Sequence, residues 1–295
     1  MNRYLQPALR LRLICPSSYT QKRTYSKTFA EKYLSTDFPP IGAANQILET
    51  VHDFTGLPWW ATIAITTVSL RTVITMPLAI YGQRIMAKLE AQQPELKEKA
   101  GILLREVAHA KKERGWTQKE AEAQFKLNLK RIIKEIYIRD NNHPMKSGLV
   151  MIFQIPLWLS MSFALRNMTG SLQFGTTRNS PLCPDMANEG TLWFQNLILP
   201  DSTWLLSLCL GTTQLALLKM FPIKGDGKLA KTIKYSLGFF AVLIVPISAQ
   251  LPAAMTFYWL VSSLFGFCQN LLLRHPSVKK LIKSNIKIKS IEKPL

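Results

Sequence analysis

A single arginine, Arg71, lies near the middle of an apolar stretch that covers residues 57–81. Its side chain is about equally far from the flanking Trp59 and Tyr81, so it cannot easily reach either end of the stretch. A charge in such a position costs at least about 2.5 to 3.5 kcal/mol on insertion scales, and it normally faces a polar cavity or a partner. Arg71 is therefore the residue whose chemistry has to be explained.

The sequence contains five apolar stretches, which cover residues 57–81, 148–165, 204–221, 233–249 and 252–273. None of them contains an acidic partner for Arg71, and none contains a histidine. An unpaired guanidinium implies water, so we infer a hydrated groove among these stretches. The alternative is an arginine that bonds backbone carbonyls for structure alone. The polar side chains large enough to join such a groove are Gln154, Gln214 and Gln269, whereas Ser and Thr hydroxyls, Ser262 among them, commonly bond their own helix backbone.

The residues required for several enzyme and pump chemistries are missing from the sequence. An intramembrane protease needs paired aspartates, an HExxH zinc motif or a serine beside a base, and none is present. Residues 225–228, Gly-Asp-Gly-Lys, lack the remainder of a phosphate-binding loop. Coupled transporters usually show intramembrane carboxylates or inverted repeats, and five stretches cannot divide into two equal halves. We expect no enzymatic activity, no cofactor and no metal.

The apolar stretches have the length of membrane-spanning helices, because a hydrocarbon core of ~30 Å requires about 20 apolar residues. We predict an all-α polytopic membrane protein with a five-span core over residues 57–273. The predicted spans cover residues 57–81, 148–165, 204–221, 233–249 and 252–273.

Residues 83–140, between the first two spans, are predicted to form an amphipathic helical hairpin on the inner side. Thr117 and Glu120 make a capping box, and apolar residues then recur on one helix face: Ala121, Phe125, Leu129, Ile132 and Ile136. Breaks are expected in the first half, at Pro94 and Gly101. The hairpin is either a solvated helix pair or a surface whose apolar face meets lipid headgroups or an incoming chain.

The distribution of Lys and Arg predicts the orientation. Residues 83–146 hold fifteen of them, whereas residues 167–203 hold one. Basic residues return between the third and fourth spans and in the short tail, residues 274–295, so high and low counts alternate. The positive-inside rule then places the mature N-terminus outside and the C-terminus inside. This arrangement accounts for the net charge of +19 without nucleic acid as a partner.

The first thirty residues carry six Lys or Arg and no Asp or Glu, which is typical of a mitochondrial transit peptide. The apolar run of residues 5–14 is interrupted by Pro7 and two arginines, which disfavours a secretory signal. We predict a transit peptide over residues 1–25 and an intermembrane-space segment over residues 26–56. The expected location is the mitochondrial inner membrane.

Ordered motifs over residues 55–275 resemble those of the YidC/Oxa-type membrane protein insertases. They are Ser69-Leu70-Arg71, Met76-Pro77-Leu78, Phe153-Gln154-Ile155-Pro156, Ala164-Leu165-Arg166-Asn167, Leu192-Trp193-Phe194, Leu199-Pro200-Asp201, Phe257-Tyr258-Trp259 and Gln269-Asn270. Within that family, residues 55–60, 89–95, 137–141 and 270–274 look most like the mitochondrial branch that assembles cytochrome c oxidase.

The resemblance implies a groove open to the matrix and to lipid, with client-groove residues at Arg71, Gln154, Gln214, Tyr258 and Gln269. It implies an insertase that moves the hydrophilic C-terminal tail of cytochrome c oxidase subunit two from the matrix to the intermembrane space. Membrane lipid, client membrane proteins and oxidase assembly factors are the implied partners. A scaffold that holds assembly partners without moving a chain, and a channel or transporter, are the alternatives.

Overall fold

The computed structural model describes residues 38–171, 183–220 and 227–284, and within these ranges it contains helices and two single β-bridges but no strand. The predicted all-α fold is confirmed. The transit peptide predicted over residues 1–25 and the end of the predicted tail, residues 285–295, lie outside the described residues.

The described ranges contain nine α-helices, and a π turn, Arg71–Thr75, joins the second to the third without a break. The helices are α1 (Pro39–Thr55), α2 (Trp59–Leu70), α3 (Met76–Arg114), α4 (Gln118–Arg139), α5 (Leu149–Met168), α6 (Leu205–Met220), α7 (Lys228–Ser248), α8 (Ala253–Arg274) and α9 (Pro276–Ser284).

Four described helical segments are long and apolar enough to cross a membrane: Trp59–Arg114, Pro144–Met168, Lys231–Ser248 and Ala253–Arg274. Each overlaps one of four predicted spans, and the first also continues beyond its predicted end at residue 81 into the predicted hairpin. The predicted third span corresponds to α6, whose sixteen residues rise about 24 Å, compared with a hydrocarbon core of ~30 Å. Residues 221–226, directly after α6, are not described, so the count of five spans stays a prediction.

The helix breaks expected at Pro94 and Gly101 are wrong. Helix α3 continues through both positions to Arg114. Both residues are exposed, and a Cβ added to Gly101 would meet no atom within 4 Å. A proline in an exposed helix face leaves a carbonyl that water can satisfy, so the helix continues where local propensity alone predicts an interruption.

The chain divides into two compact units. The first unit comprises residues Met1–Thr66 and Leu159–Val261, and the second comprises Thr67–Trp158 and Ser262–Leu295. In the first unit, α6 packs on α7. The two helices are tightly packed at Gly211, where an added Cβ would lie 2.4 Å from Val245 Cγ2, so only glycine fits without a shift of the facing valine.

In the second unit, α3 and α4 form the predicted hairpin. Thr117 and Glu120 make the predicted capping box. Leu103, Val107 and Ala121 are buried between the two helices, with three further members of the predicted apolar face packed against them: Phe125, Leu129 and Ile132. The amphipathic hairpin is therefore confirmed by the packing of its two helices.

The base of the hairpin is held by polar contacts. Arg139 donates two hydrogen bonds of 2.9 Å to the carboxylate of Glu95 and two more, of 3.0 and 2.8 Å, to that of Asp140. The hydrogen bond from Arg139 holds the pKa of Glu95 below its ordinary value. Gln92, which is 7 % exposed, donates to Asp140 and accepts from the fully buried Asn142 at 3.1 Å. These contacts join residues of α3 to residues at the end of α4, between 44 and 50 positions apart in sequence, and so close the base of the hairpin.

Two helices were not predicted. Helix α1 lies within the predicted intermembrane-space segment and buries Ile41, Ala44 and Leu48 on one face. Helix α9 lies in the predicted tail, and its Ile282 packs in a cluster with Ala79 and Leu273. Helix α9 has only nine residues, and the seventeen residues of α1 mix polar with apolar side chains, so neither stands out as an apolar span.

Candidate functional site

Arg71 occupies the first position of the π turn, in the second unit. The backbone N–H of Met76 donates to the carbonyl of Arg71, five residues back, and the Thr75 hydroxyl donates to the same carbonyl at 2.8 Å. One turn earlier, the hydroxyl of Thr72 donates to the carbonyl of Val68 at 2.8 Å. Single π turns within α-helices are frequent at functional sites, and here one changes the helix geometry at the charged residue.

The Arg71 side chain is buried against α8. Its Nη2 donates a hydrogen bond to the hydroxyl of Ser262, and the two residues are 8 % and 2 % exposed. One turn further along α8, a Cβ added to Gly266 would lie 3.9 Å from Arg71 Nη1. Small residues at Ser262 and Gly266 therefore give the guanidinium room beside the α8 backbone.

The expectation of an unpaired guanidinium is thus wrong, because Ser262 accepts a hydrogen bond from it. Ser262 is not among the predicted groove residues, because hydroxyls commonly bond their own helix backbone and glutamines are the larger polar groups. The spacing of Ser262 and Gly266, four residues apart in an apolar stretch, was the available signal, since small residues at this spacing let helices approach closely. Ser262 is neutral, so this particular bond adds no negative charge beside the guanidinium.

Two of the predicted groove residues lie in the same unit as Arg71. Gln154 on α5 and Gln269 on α8 are both half-buried, and the side chain of neither makes a hydrogen bond among the described residues. Next to Gln269, the side chain of Asn270 donates to the carbonyl of Gly266 at 2.9 Å. Arg71 and the two glutamines are thus one buried charge and two half-buried amides within the same unit.

The other two predicted groove residues lie in the first unit. Gln214 on α6 is half-buried, and Tyr258 on α8 is 3 % exposed. Beside Tyr258, the indole N–H of Trp259 donates to the hydroxyl of Ser162 at 2.9 Å, which connects α8 to α5. This contact was not predicted. It pairs a buried aromatic N–H with a hydroxyl on a facing helix, as buried tryptophans generally require.

The described residues contain no group of three or more His, Cys, Asp or Glu placed to hold a metal ion. The unit that contains Arg71 offers a positive charge, the Ser262 hydroxyl bonded to it, and the amides of Gln154 and Gln269. Such a set can attract and hydrogen-bond anionic or amide groups without any covalent step.

Comparison with known proteins identifies the family. Residues 50–280 match the family described as 60Kd inner membrane protein. The human "Cytochrome c oxidase assembly protein COX18, mitochondrial" is 39% identical over 247 residues, which are 83% of this chain and 73% of that protein. The mouse protein of the same name is 38% identical over 248 residues, 83% of this chain and 74% of that protein. The Arabidopsis thaliana "Mitochondrial inner membrane protein OXA1" is 32% identical over 248 residues, 83% of this chain and 52% of that protein. The chain belongs to the 60Kd inner membrane protein family, the YidC/Oxa-type family that its ordered motifs resemble.

Proposed function

We propose that this protein is a mitochondrial inner-membrane insertase that supports the assembly of cytochrome c oxidase. The family and the names of the human and mouse relatives support the location and the process. The alternation of basic residues supports five spans, with the mature N-terminus in the intermembrane space and the C-terminus in the matrix. The activity is translocation without covalent chemistry, so it needs no cofactor.

The buried charge of Arg71 is the observation that carries this proposal. Its guanidinium lies 8 % exposed in an apolar helix and bonds a neutral hydroxyl. Two unit charges 4 Å apart attract each other by ~4 kcal/mol at an effective dielectric constant of about 20. A hydrated groove beside Arg71 would therefore draw in the acidic residues of a hydrophilic tail and lower the barrier to their passage.

The proposed client is a membrane protein with a hydrophilic tail, such as the C-terminal tail of cytochrome c oxidase subunit two. The tail enters from the matrix, passes Arg71 and reaches the intermembrane space, and the adjoining apolar segment of the client moves into lipid. Gln154 and Gln269 can hydrogen-bond the backbone of the tail as it passes. Gln214 and Tyr258 remain groove residues predicted from the sequence, and oxidase assembly factors remain the predicted further partners.

The test measures client translocation in mitochondria that lack the native protein and carry one variant each. Protease added to the intermembrane space degrades a tail that has crossed. We expect Arg71→Ala and Arg71→Gln to lower translocation about tenfold, which corresponds to ~1.4 kcal/mol of the electrostatic attraction. Arg71→Lys keeps the charge and should retain most of the activity.

Lys219→Ala is the matched control, because it removes an exposed positive charge at the end of α6 and should leave translocation unchanged. If an acidic tail crosses at the normal rate in the Arg71→Gln variant, the charge mechanism is wrong and a scaffold is favoured. A steady ionic conductance through the purified protein in liposomes without a client would instead favour a channel.

A further inference from the structure

Residues 183–204, which we name the collar loop, are bonded to the starts of three apolar helices in the first unit. Helix α2 is held by Glu189, whose carboxylate accepts the Trp59 N–H at 3.0 Å and whose carbonyl accepts the Trp60 N–H at 3.2 Å. Helix α6 is held by Asp201, whose carboxylate accepts the Leu206 N–H at 2.9 Å. The first backbone N–H groups of a helix have no partner within it, so these bonds attach the loop firmly to the helix ends.

Helix α8 is held in the same way by the loop backbone. The carbonyl of Leu199 accepts the Ala253 N–H at 2.8 Å, and the carbonyl of Leu197 accepts the Ala254 N–H at 3.0 Å. The underside of the loop is apolar and closely packed, with four side chains at most 5 % exposed: Cys183, Met186, Phe194 and Leu197. The collar loop is therefore a fixed layer over the ends of α2, α6 and α8.

Four large apolar side chains point out of this layer, and we name them the apolar rim: Leu192, Trp193, Leu199 and Trp204. Their exposed fractions are 71 %, 42 %, 59 % and 50 %. Leu192 and Trp204 have φ values of 52° and 60°, a backbone region that residues other than glycine seldom adopt. Leu192 and Trp204 thus combine an uncommon backbone conformation with an exposed apolar side chain.

Asp201 organises one end of the rim. Its carboxylate accepts the Trp193 indole N–H at 3.4 Å, and its carbonyl accepts the Trp204 N–H at 3.2 Å. Burial alone would raise the pKa of Asp201, but hydrogen bonds from Thr203 and Leu206 lower it, and the net result is a pKa below the ordinary value. Asp201 therefore remains a carboxylate at neutral pH and holds both tryptophans in place.

We infer that the apolar rim inserts into the headgroup region of the bilayer and sets the depth at which α2, α6 and α8 begin. The rim is continuous with Leu205 and Leu208, exposed residues of the apolar helix α6 that face lipid in a membrane protein. Tryptophan is enriched at this depth because its ring is apolar while its N–H is polar.

The experiment places a fluorophore on the rim of the full chain in liposomes. Cys15, Cys209 and Cys268 are replaced by Ala, while Cys183, which is fully buried, is retained. One residue of the apolar rim at a time is then replaced by Cys and labelled: Leu192, Trp193, Leu199 or Trp204. The liposomes carry a nitroxide either near the lipid headgroup or near the end of the lipid acyl chain. Ser202, an exposed polar residue of the same loop, is the matched control position.

We expect headgroup-level nitroxide to quench the rim probes roughly twofold more strongly than deep nitroxide, because interfacial groups lie about 5 to 10 Å into the boundary. Aqueous iodide should quench the Ser202 probe and leave the rim probes largely unaffected. Rim probes as open to iodide as the Ser202 probe would overturn the proposal. Rim probes that neither quencher reaches would also overturn it, since a protein surface would then cover them.

A second measurement avoids labels. Trp193→Phe combined with Trp204→Phe should remove much of the intrinsic tryptophan fluorescence that headgroup-level nitroxide quenches, while five of the seven tryptophans remain. An unchanged quenched fraction in the folded double variant, checked by circular dichroism, contradicts the insertion of the rim.

Discussion

Replacing Ser262 by Ala removes the hydroxyl that accepts the Arg71 guanidinium and tests whether water surrounds this charge. A hydrogen bond to a charged group contributes about 1.5 to 3 kcal/mol when no water can replace it. Ser262 and Arg71 are 2 % and 8 % exposed, so a dry site should show the full loss. In a hydrated groove, a water molecule takes the place of the hydroxyl, and the loss should be about 0.5 kcal/mol or less.

The assay is a double-mutant cycle with Ser262→Ala, Arg71→Gln and the combined variant, unfolded reversibly in mixed micelles of a mild and a denaturing detergent. The cycle isolates the coupling energy between the two side chains, because it subtracts the separate effect of each replacement. Neutral hydrogen bonds between membrane helices average about 0.6 kcal/mol in such cycles. A larger coupling therefore requires a dry, charged contact.

We expect a coupling energy of about 0.5 kcal/mol or less, as a hydrated groove requires. Ser236→Ala is the control, because Ser236 is an exposed hydroxyl on α7 and its loss should change neither stability nor coupling. A coupling energy of about 1.5 kcal/mol or more would refute the argument. Arg71 would then be a structural arginine in a dry contact, without the water that the proposed translocation needs.

Three further predictions follow from contacts within single units. Gly211→Ala should destabilise the protein by about 1 to 3 kcal/mol, because its Cβ would overlap the facing valine; an unchanged thermal midpoint would contradict the close packing of α6 and α7. Gln92→Ala should lower the free energy of unfolding by about 1 to 3 kcal/mol, because it leaves buried polar partners unsatisfied. Ala at the adjacent exposed Gln93 should have little effect. Equal losses of stability in the two variants would contradict the role of the buried network. Because Arg139 lowers the pKa of Glu95, the stabilising contribution of Glu95 is complete above the ordinary value of 4.5 and is lost as the pH falls through the lowered pKa. The difference in thermal midpoint between the wild type and Glu95→Gln should therefore shrink in acid, and a difference independent of pH would contradict this.

The hairpin shows which features local sequence predicts well. A capping box needs only Thr117 and Glu120 in the right register, and the apolar face of α4 follows the helical period. The breaks expected at Pro94 and Gly101 failed because the polar contacts at the hairpin base and the packing of α3 on α4 outweigh local propensity. Helix α9 escaped prediction for the same reason, since its helical state is supported by the packing of Ile282 against Ala79 and Leu273.

The sequence by itself determined that this is an all-α membrane protein with one arginine deep in an apolar helix, because the length of an apolar stretch and the charge within it are properties of neighbouring residues. Its ordered motifs also determined the family, which the comparisons confirmed. Only the tertiary structure decided that Arg71 bonds Ser262, a residue 191 positions away, and that a π turn lies at the arginine. It also decided that the collar loop holds three helix ends and exposes the apolar rim. These features depend on contacts between residues that are far apart in the sequence. Such contacts cannot be predicted from the periodicity or composition of any single segment.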